Sequence, residues 1–120
     1  MKFSIPDDKD IAAEAMRIIV SDLEIYDSVD ELAKKAGTNT SRLKKIFRKQ
    51  YGISVFEFSR QTRMEAAKHL LLETNYTLQT IASMVGYSEG NNFQVAFKVV
   101  VGCTPGEFRH SRQSSADSRQ

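Results

Sequence analysis

A chain of 120 residues can hold one compact domain or two very small ones, and 41% hydrophobic against 27% charged residues is a globular balance. The single cysteine, Cys103, excludes an internal disulfide and a cysteine-rich zinc site. No apolar run approaches the roughly 18–20 residues of a membrane span, and the acidic start, with Asp7, Asp8 and Asp10, is unlike a secretory signal.

These exclusions point to a soluble, cytoplasmic chain with no membrane partner. The net charge of +2 conceals a gradient. Residues 1–39 carry five basic and nine acidic groups, residues 40–70 eight and two, and residues 71–120 four of each. A basic band within an otherwise neutral or acidic chain is the footprint expected of a surface that meets nucleic acid, or else a solvated helix face.

With two prolines and six glycines, helices should dominate. Ile11, Ala15, Ile18, Ile19 and Leu23 follow helical spacing from Asp8 onward, with Asp7 or Asp8 as the cap. Ser28-Val-Asp-Glu opens a second, short helix as a capping box, with Val29, Leu32, Ala33 and Ala36 on its apolar face and Gly37 just past its end. Asn39 caps a third, built on Leu43, Ile46 and Phe47 and closed by Gly52. A long helix without Gly or Pro runs from Val55 to Glu73. Thr77 caps a fifth through Val85, ended by Gly86, and a sixth runs from Gly90 to Val101, stopped by Gly102. A last turn is expected at Pro105–Phe108. The polar stretch from Ser111, without large apolar residues, is expected to be disordered.

The chain also repeats itself. Leu32-Ala33 and Ala36-Gly37 return as Ile81-Ala82 and Val85-Gly86 at an offset of 49. Leu43, Phe47, Arg48, Gly52, Ser54 and Glu57-Phe58 return as Phe93, Phe97, Lys98, Gly102, Thr104 and Glu107-Phe108 at an offset of 50. Each copy has the logic of a helix-turn-helix: a small residue admits close helix contact, a glycine makes the turn four positions later, and a bulky apolar residue docks the second helix. The expected fold is therefore all-α, about seven helices, with two helix-turn-helix subdomains joined by a long linker helix. Their bounds are 1–53, 54–74 for the linker and 75–110, followed by the 111–120 tail.

If Leu43, Ile46 and Phe47 face inward, Ser41, Lys44, Lys45 and Arg48 form one outward stripe at i, i+3, i+4 and i+7, flanked by Arg42 and Lys49. Lys44 and Lys45 suit guanine acceptors, whereas Arg48 and Lys49, a turn further on, suit phosphates. The equivalent second stripe is Asn91, Gln94, Val95 and Lys98. Asn and Gln can pair with adenine, and Val can meet a thymine methyl. A linker of about 20 helical residues spans roughly 30 Å, near the roughly 34 Å of one DNA turn. That length suits two recognition helices entering successive major grooves of double-stranded DNA. A protein-interaction module and a non-specific nucleic-acid binder are the alternatives.

The patterns Asp30-Glu-Leu-Ala, Ala36-Gly37, Phe47-Arg-Lys, Arg63-Met64 and Ile81-Ala through Val85-Gly-Tyr-Ser, Phe93, Phe97-Lys98, Gly102, Pro105 and Phe108-Arg109 resemble the AraC/XylS transcription regulators. The resemblance covers about Ser28 to Arg109. It implies a DNA-binding domain that regulates transcription, often as an activator, with RNA polymerase as a partner. It also implies a separate N-terminal sensor or dimerisation domain in many members, for which this chain has no room. By the same resemblance, base-reading positions fall on Ser41, Arg42, Lys44, Lys45, Gly90, Asn91, Gln94 and Val95. Asn39, Arg48, Lys49 and Lys98 are then the phosphate contacts. Val95 departs from the family's usual Arg, and Val99-Val100-Val101 replace a usually basic or aromatic run. One of those valines is expected in the core and the others at the surface, either as drift or as a contact for RNA polymerase or a sensor domain.

No residue set points to an enzyme, a cofactor or a metal. His69 lacks a second ligand at suitable spacing, and His110 stands beside the tail. Cys103 has no activating neighbour in sequence. Glu57 and Glu107 occupy equivalent positions in the repeat, which favours capping over acid–base chemistry.

Overall fold

A computed structural model describes the backbone of residues 7–21 and 29–117, with side chains to residue 112. Over these residues the chain forms seven helices and no strand. They are α1 (Asp8–Ser21), α2 (Val29–Lys35), α3 (Thr40–Tyr51), α4 (Val55–Glu73), α5 (Leu78–Met84), α6 (Gly90–Val101) and α7 (Pro105–Asp117). The positions expected of Leu23 and Ser28 lie outside the described residues. The chain divides into two compact units, 1–59 and 60–120.

In the first unit, Asp7 starts α1 by accepting from the Asp10 backbone N–H at 2.9 Å, while Asp10 accepts from the Asp7 N–H at 3.3 Å. This reciprocal pair satisfies donors that the first helical turn leaves orphaned. Ile11, Ala12, Ala15 and Ile19 of α1 then meet Leu32, Ala33 and Ala36 beside Leu43, Ile46 and Phe47 of α3, and Val55 closes the cluster. Ile18 and Val29 are partly buried against the same cluster. Complete burial of Leu43 and Phe47 contributes about 1.5–3 kcal/mol each in transfer free energy.

The turn between α2 and α3 explains the glycine at its centre. Thr38 N–H bonds the Ala33 carbonyl at 2.9 Å and Gly37 N–H bonds the Lys34 carbonyl at 3.1 Å. These two bonds form a Schellman closure, which requires a left-handed residue at Gly37, where φ is 87°. The second unit repeats it. Tyr87 bonds Ala82 at 2.8 Å, Gly86 bonds Ser83 at 3.1 Å, and φ at Gly86 is 96°.

The second core gathers Met64, Ala67 and Leu71 of α4, Ile81 and Ala82 of α5, Val85, Phe93 and Phe97 of α6, and Phe108 of α7. Repeat equivalence extends to ring packing. Phe47 and Phe58 have centroids 5.6 Å apart, and their counterparts Phe97 and Phe108 are 5.7 Å apart. Arg63 is the buried charged side chain among the described residues. Its Nη1 donates to the Val85 carbonyl at 2.7 Å and so satisfies the end of α5. Arg109 does the same for α4, donating to the carbonyls of Leu71 at 3.0 Å and Thr74 at 3.1 Å.

The C-terminal segment departs from expectation. In place of a turn followed by disorder from Ser111, α7 continues through residue 117. The polarity of Ser111–Asp117 argued against burial, but it does not argue against helix. After Gly106 the segment contains no breaker, and Arg, Gln and Ala are good helix formers. At its start, Thr104 and Glu107 form a capping box, with the Thr104 N–H to Glu107 Oε1 at 2.9 Å and the Glu107 N–H to Thr104 Oγ1 at 3.1 Å.

Candidate nucleic-acid interface

Helix α3 buries Leu43, Ile46 and Phe47, so helical geometry turns Ser41, Arg42, Lys44, Lys45, Arg48 and Lys49 outward, and all six are exposed. The helix contains no acidic residue. Lys44, Lys45, Arg48 and Lys49 make no ion pair with any described residue, whereas Arg17 pairs with Glu14, Lys34 with Glu31 and Lys68 with Glu65 within their own helices. A cluster of like charges without counter-ions destabilises a helix unless an anion meets it.

Two sequence-selected side chains already have partners. Asn39 is the N-cap of α3, its Oδ1 accepting from the Arg42 N–H at 2.9 Å. Its carboxamide N–H groups take no part in that bond. Arg42 extends toward α1, where its Nη2 lies 3.2 Å from Asp8 Oδ1. That pair spans 34 positions of sequence, and no local pattern signals it.

Helix α6 presents a different face. Asn91, Gln94, Val95 and Lys98 are exposed and Gly90 is half-buried, while Phe93 and Phe97 are fully enclosed. Val95 and Val99 are 65% and 63% exposed, in the places held by Lys45 and Lys49 in the first unit. Of the three consecutive valines, Val100 and Val101 pack against the second core and only Val99 stands out. The single inward valine expected from the sequence is thus two. Cys103 is half-buried against the same core.

The two helix starts also differ. In the first unit the Thr40 hydroxyl donates to the Asp30 carboxylate, tying the beginning of α3 to α2. The equivalent residues are Gly90 and Gln79, and Gly90 has no side chain with which to make such a bond. An open groove of about 570 Å³ lies there, lined by Leu78, Gln79, Ser88, Glu89, Asn91 and Gln94. Glu89, at the N-cap of α6, makes no side-chain capping bond.

Residues 32–111 match the family model described as a helix-turn-helix domain. The chain belongs to the AraC/XylS family of transcription regulators. It carries the DNA-binding, transcription-regulating domain of that family. Among curated relatives, it is 34% identical over 106 residues to the HTH-type transcriptional regulator YtdP of Bacillus subtilis, covering 88% of this chain and 14% of that protein. It is 36% identical over 87 residues to the Msm operon regulatory protein of Streptococcus mutans, covering 72% and 31%. The Arabinose operon regulatory protein of Escherichia coli is 35% identical over 81 residues, covering 68% and 28%. The chain thus spans about a third or less of the length of the AraC/XylS relatives it matches.

Among solved structures, the C-terminal domain of AraT, a response regulator from Geobacillus stearothermophilus, superposes with a TM-score of 0.82 at 27% identity. That match covers 90% of this chain and 88% of that one. The DNA-binding domain of AdpA, solved in complex with a target DNA, has a TM-score of 0.84 at 21% identity, covers 88% and 96%, and shares the fold. Among the described residues, no helix is long and apolar enough to cross a membrane.

Proposed function

We propose that this AraC/XylS domain reads an asymmetric double-stranded DNA site through two recognition helices that enter successive major grooves. In the first unit, Ser41, Arg42, Lys44 and Lys45 of α3 read base edges, and Asn39, Arg48 and Lys49 hold phosphates. In the second, Gly90, Asn91, Gln94 and Val95 of α6 read bases and Lys98 holds a phosphate. Glycine reads nothing through a side chain, so Gly90 contributes by close backbone approach. The observation that carries this proposal is the exposed face of α3, whose lysines and distal arginine have no neutralising partner among the described residues. The domain works in the cytoplasm, has no enzymatic activity of its own, and takes part in a larger regulator that activates transcription through RNA polymerase under an N-terminal sensor or dimerisation domain.

Amide-rich α6 favours A/T pairs and lysine-rich α3 favours guanine. Site selection from random duplex, repeated with Lys44→Ala and Lys45→Ala, tests the assignment. Each variant is expected to lose about 1–3 kcal/mol on the selected site and to relax choice at one position. Loss shared equally with random duplex removes the base-reading role. The exposure of Val99 supports a second role for the end of α6 as a protein contact. Val99→Lys then lowers transcription activation while DNA affinity holds or rises.

A further inference from the structure

We propose that Asp8 is a positioning residue for Arg42, one that lowers general affinity for DNA and sharpens the choice of sequence. The proposal rests on the assignment of Arg42 to base reading. Burial of Ile11, Ala12 and Ala15 fixes α1 against α3, and Asp8 lies one turn before them, at the N-terminal edge of α3. There its carboxylate meets Arg42 at 3.2 Å, with both side chains more than half exposed.

Three physical consequences follow from that geometry. Arg42 occupies the first turn of α3, where the positive end of the helix dipole disfavours a cation, and Asp8 offsets this. The contact recorded uses one guanidinium nitrogen, and a guanidinium has five N–H donors, so others remain for a base edge. An Asp8 carboxylate beside the guanidinium also opposes approach of a phosphate, the sequence-independent contact that an untethered arginine would make. Asp7 and Asp10 add negative charge at the same helix start. An exposed ion pair is weak, so the tether biases the arginine without locking it.

The test compares affinities for the duplex enriched by site selection and for a random duplex, using the wild type, D8N, R42A and D8N/R42A. Asp7 keeps its capping bonds in D8N, so α1 retains its start. D8N is expected to tighten random-duplex binding about two- to five-fold, the range open to an exposed pair, and to lower the selected-to-random ratio by a similar factor. R42A lowers that ratio by itself, and D8N added to R42A leaves it unmoved. D8E, which keeps the carboxylate, returns the ratio toward the wild-type value. If R42A lowers the ratio but D8N does not, positioning by Asp8 is wrong and base reading by Arg42 stands. Equal effects of D8N with and without Arg42 reduce Asp8 to a general repulsive charge and overturn the proposal. An R42A ratio equal to wild type removes the base-reading role on which the proposal rests.

Discussion

Arg63 and Val85 are joined by a 2.7 Å hydrogen bond from a buried guanidinium to the carbonyl that ends α5. A charged side chain in the interior is tolerated because it satisfies a backbone acceptor left over by a short helix. Arg63→Met keeps the apolar stem and removes the donor. It is expected to destabilise the second unit by about 1.5–3 kcal/mol, read as a lower urea midpoint with unchanged slope. Amide exchange should accelerate in residues 78–101 more than in α2 and α3. A midpoint equal to wild type means the bond contributes nothing net.

The Phe47–Phe58 and Phe97–Phe108 pairs have almost the same spacing, yet Phe108 is buried and Phe58 only partly so. Phe108→Ala is expected to cost about 3–5 kcal/mol, and Phe58→Ala distinctly less. Equal losses in thermal or chemical unfolding contradict the burial difference.

Arg48 and Lys49, exposed and late in α3, are expected to act on the DNA backbone. Replacement of either by Ala should weaken selected and random duplexes alike and reduce the slope of log affinity against log salt by about 0.9. Titrations from low to moderate salt measure this. A loss confined to the selected duplex reassigns the residue to base contact.

Glu107 has a carboxyl held below its ordinary value, chiefly because it accepts from the Thr104 backbone N–H, then through the Thr104 side chain, with Lys98 adding a smaller effect. A lowered folded-state value means the charged form favours the native state. That contribution is present above the ordinary glutamate range and is lost as pH falls through the folded value. Glu107→Gln should therefore be less stable than wild type at neutral pH, with the gap closing in acid. A gap that persists after full protonation points to shape rather than charge.

Most of the helical frame was legible because its punctuation is local. Gly37, Gly52, Gly86 and Gly102 all carry the positive φ of helix ends, and the doubled spacing of Leu43-Phe47 and Phe93-Phe97 exposed the repeat. Three features were not. The Asp8–Arg42 pair joins residues far apart in sequence, so no periodicity announces it. Arg63 looks like a surface residue of α4 until the carbonyl it serves is known. The extent of α7 was missed because polarity reports on burial, whereas helix formation also depends on propensity and caps.

The missing hydroxyl at Gly90 has a dynamic consequence. The first turn of α3 is fastened twice, by Asn39 to its backbone and by Thr40 to Asp30, whereas the first turn of α6 has neither fastening. In native-state exchange, the opening amides of α6 should lose protection before those of α3. A binding surface that orders only on contact pays conformational entropy at that moment. In calorimetry, the second unit should then contribute the more unfavourable entropy of association.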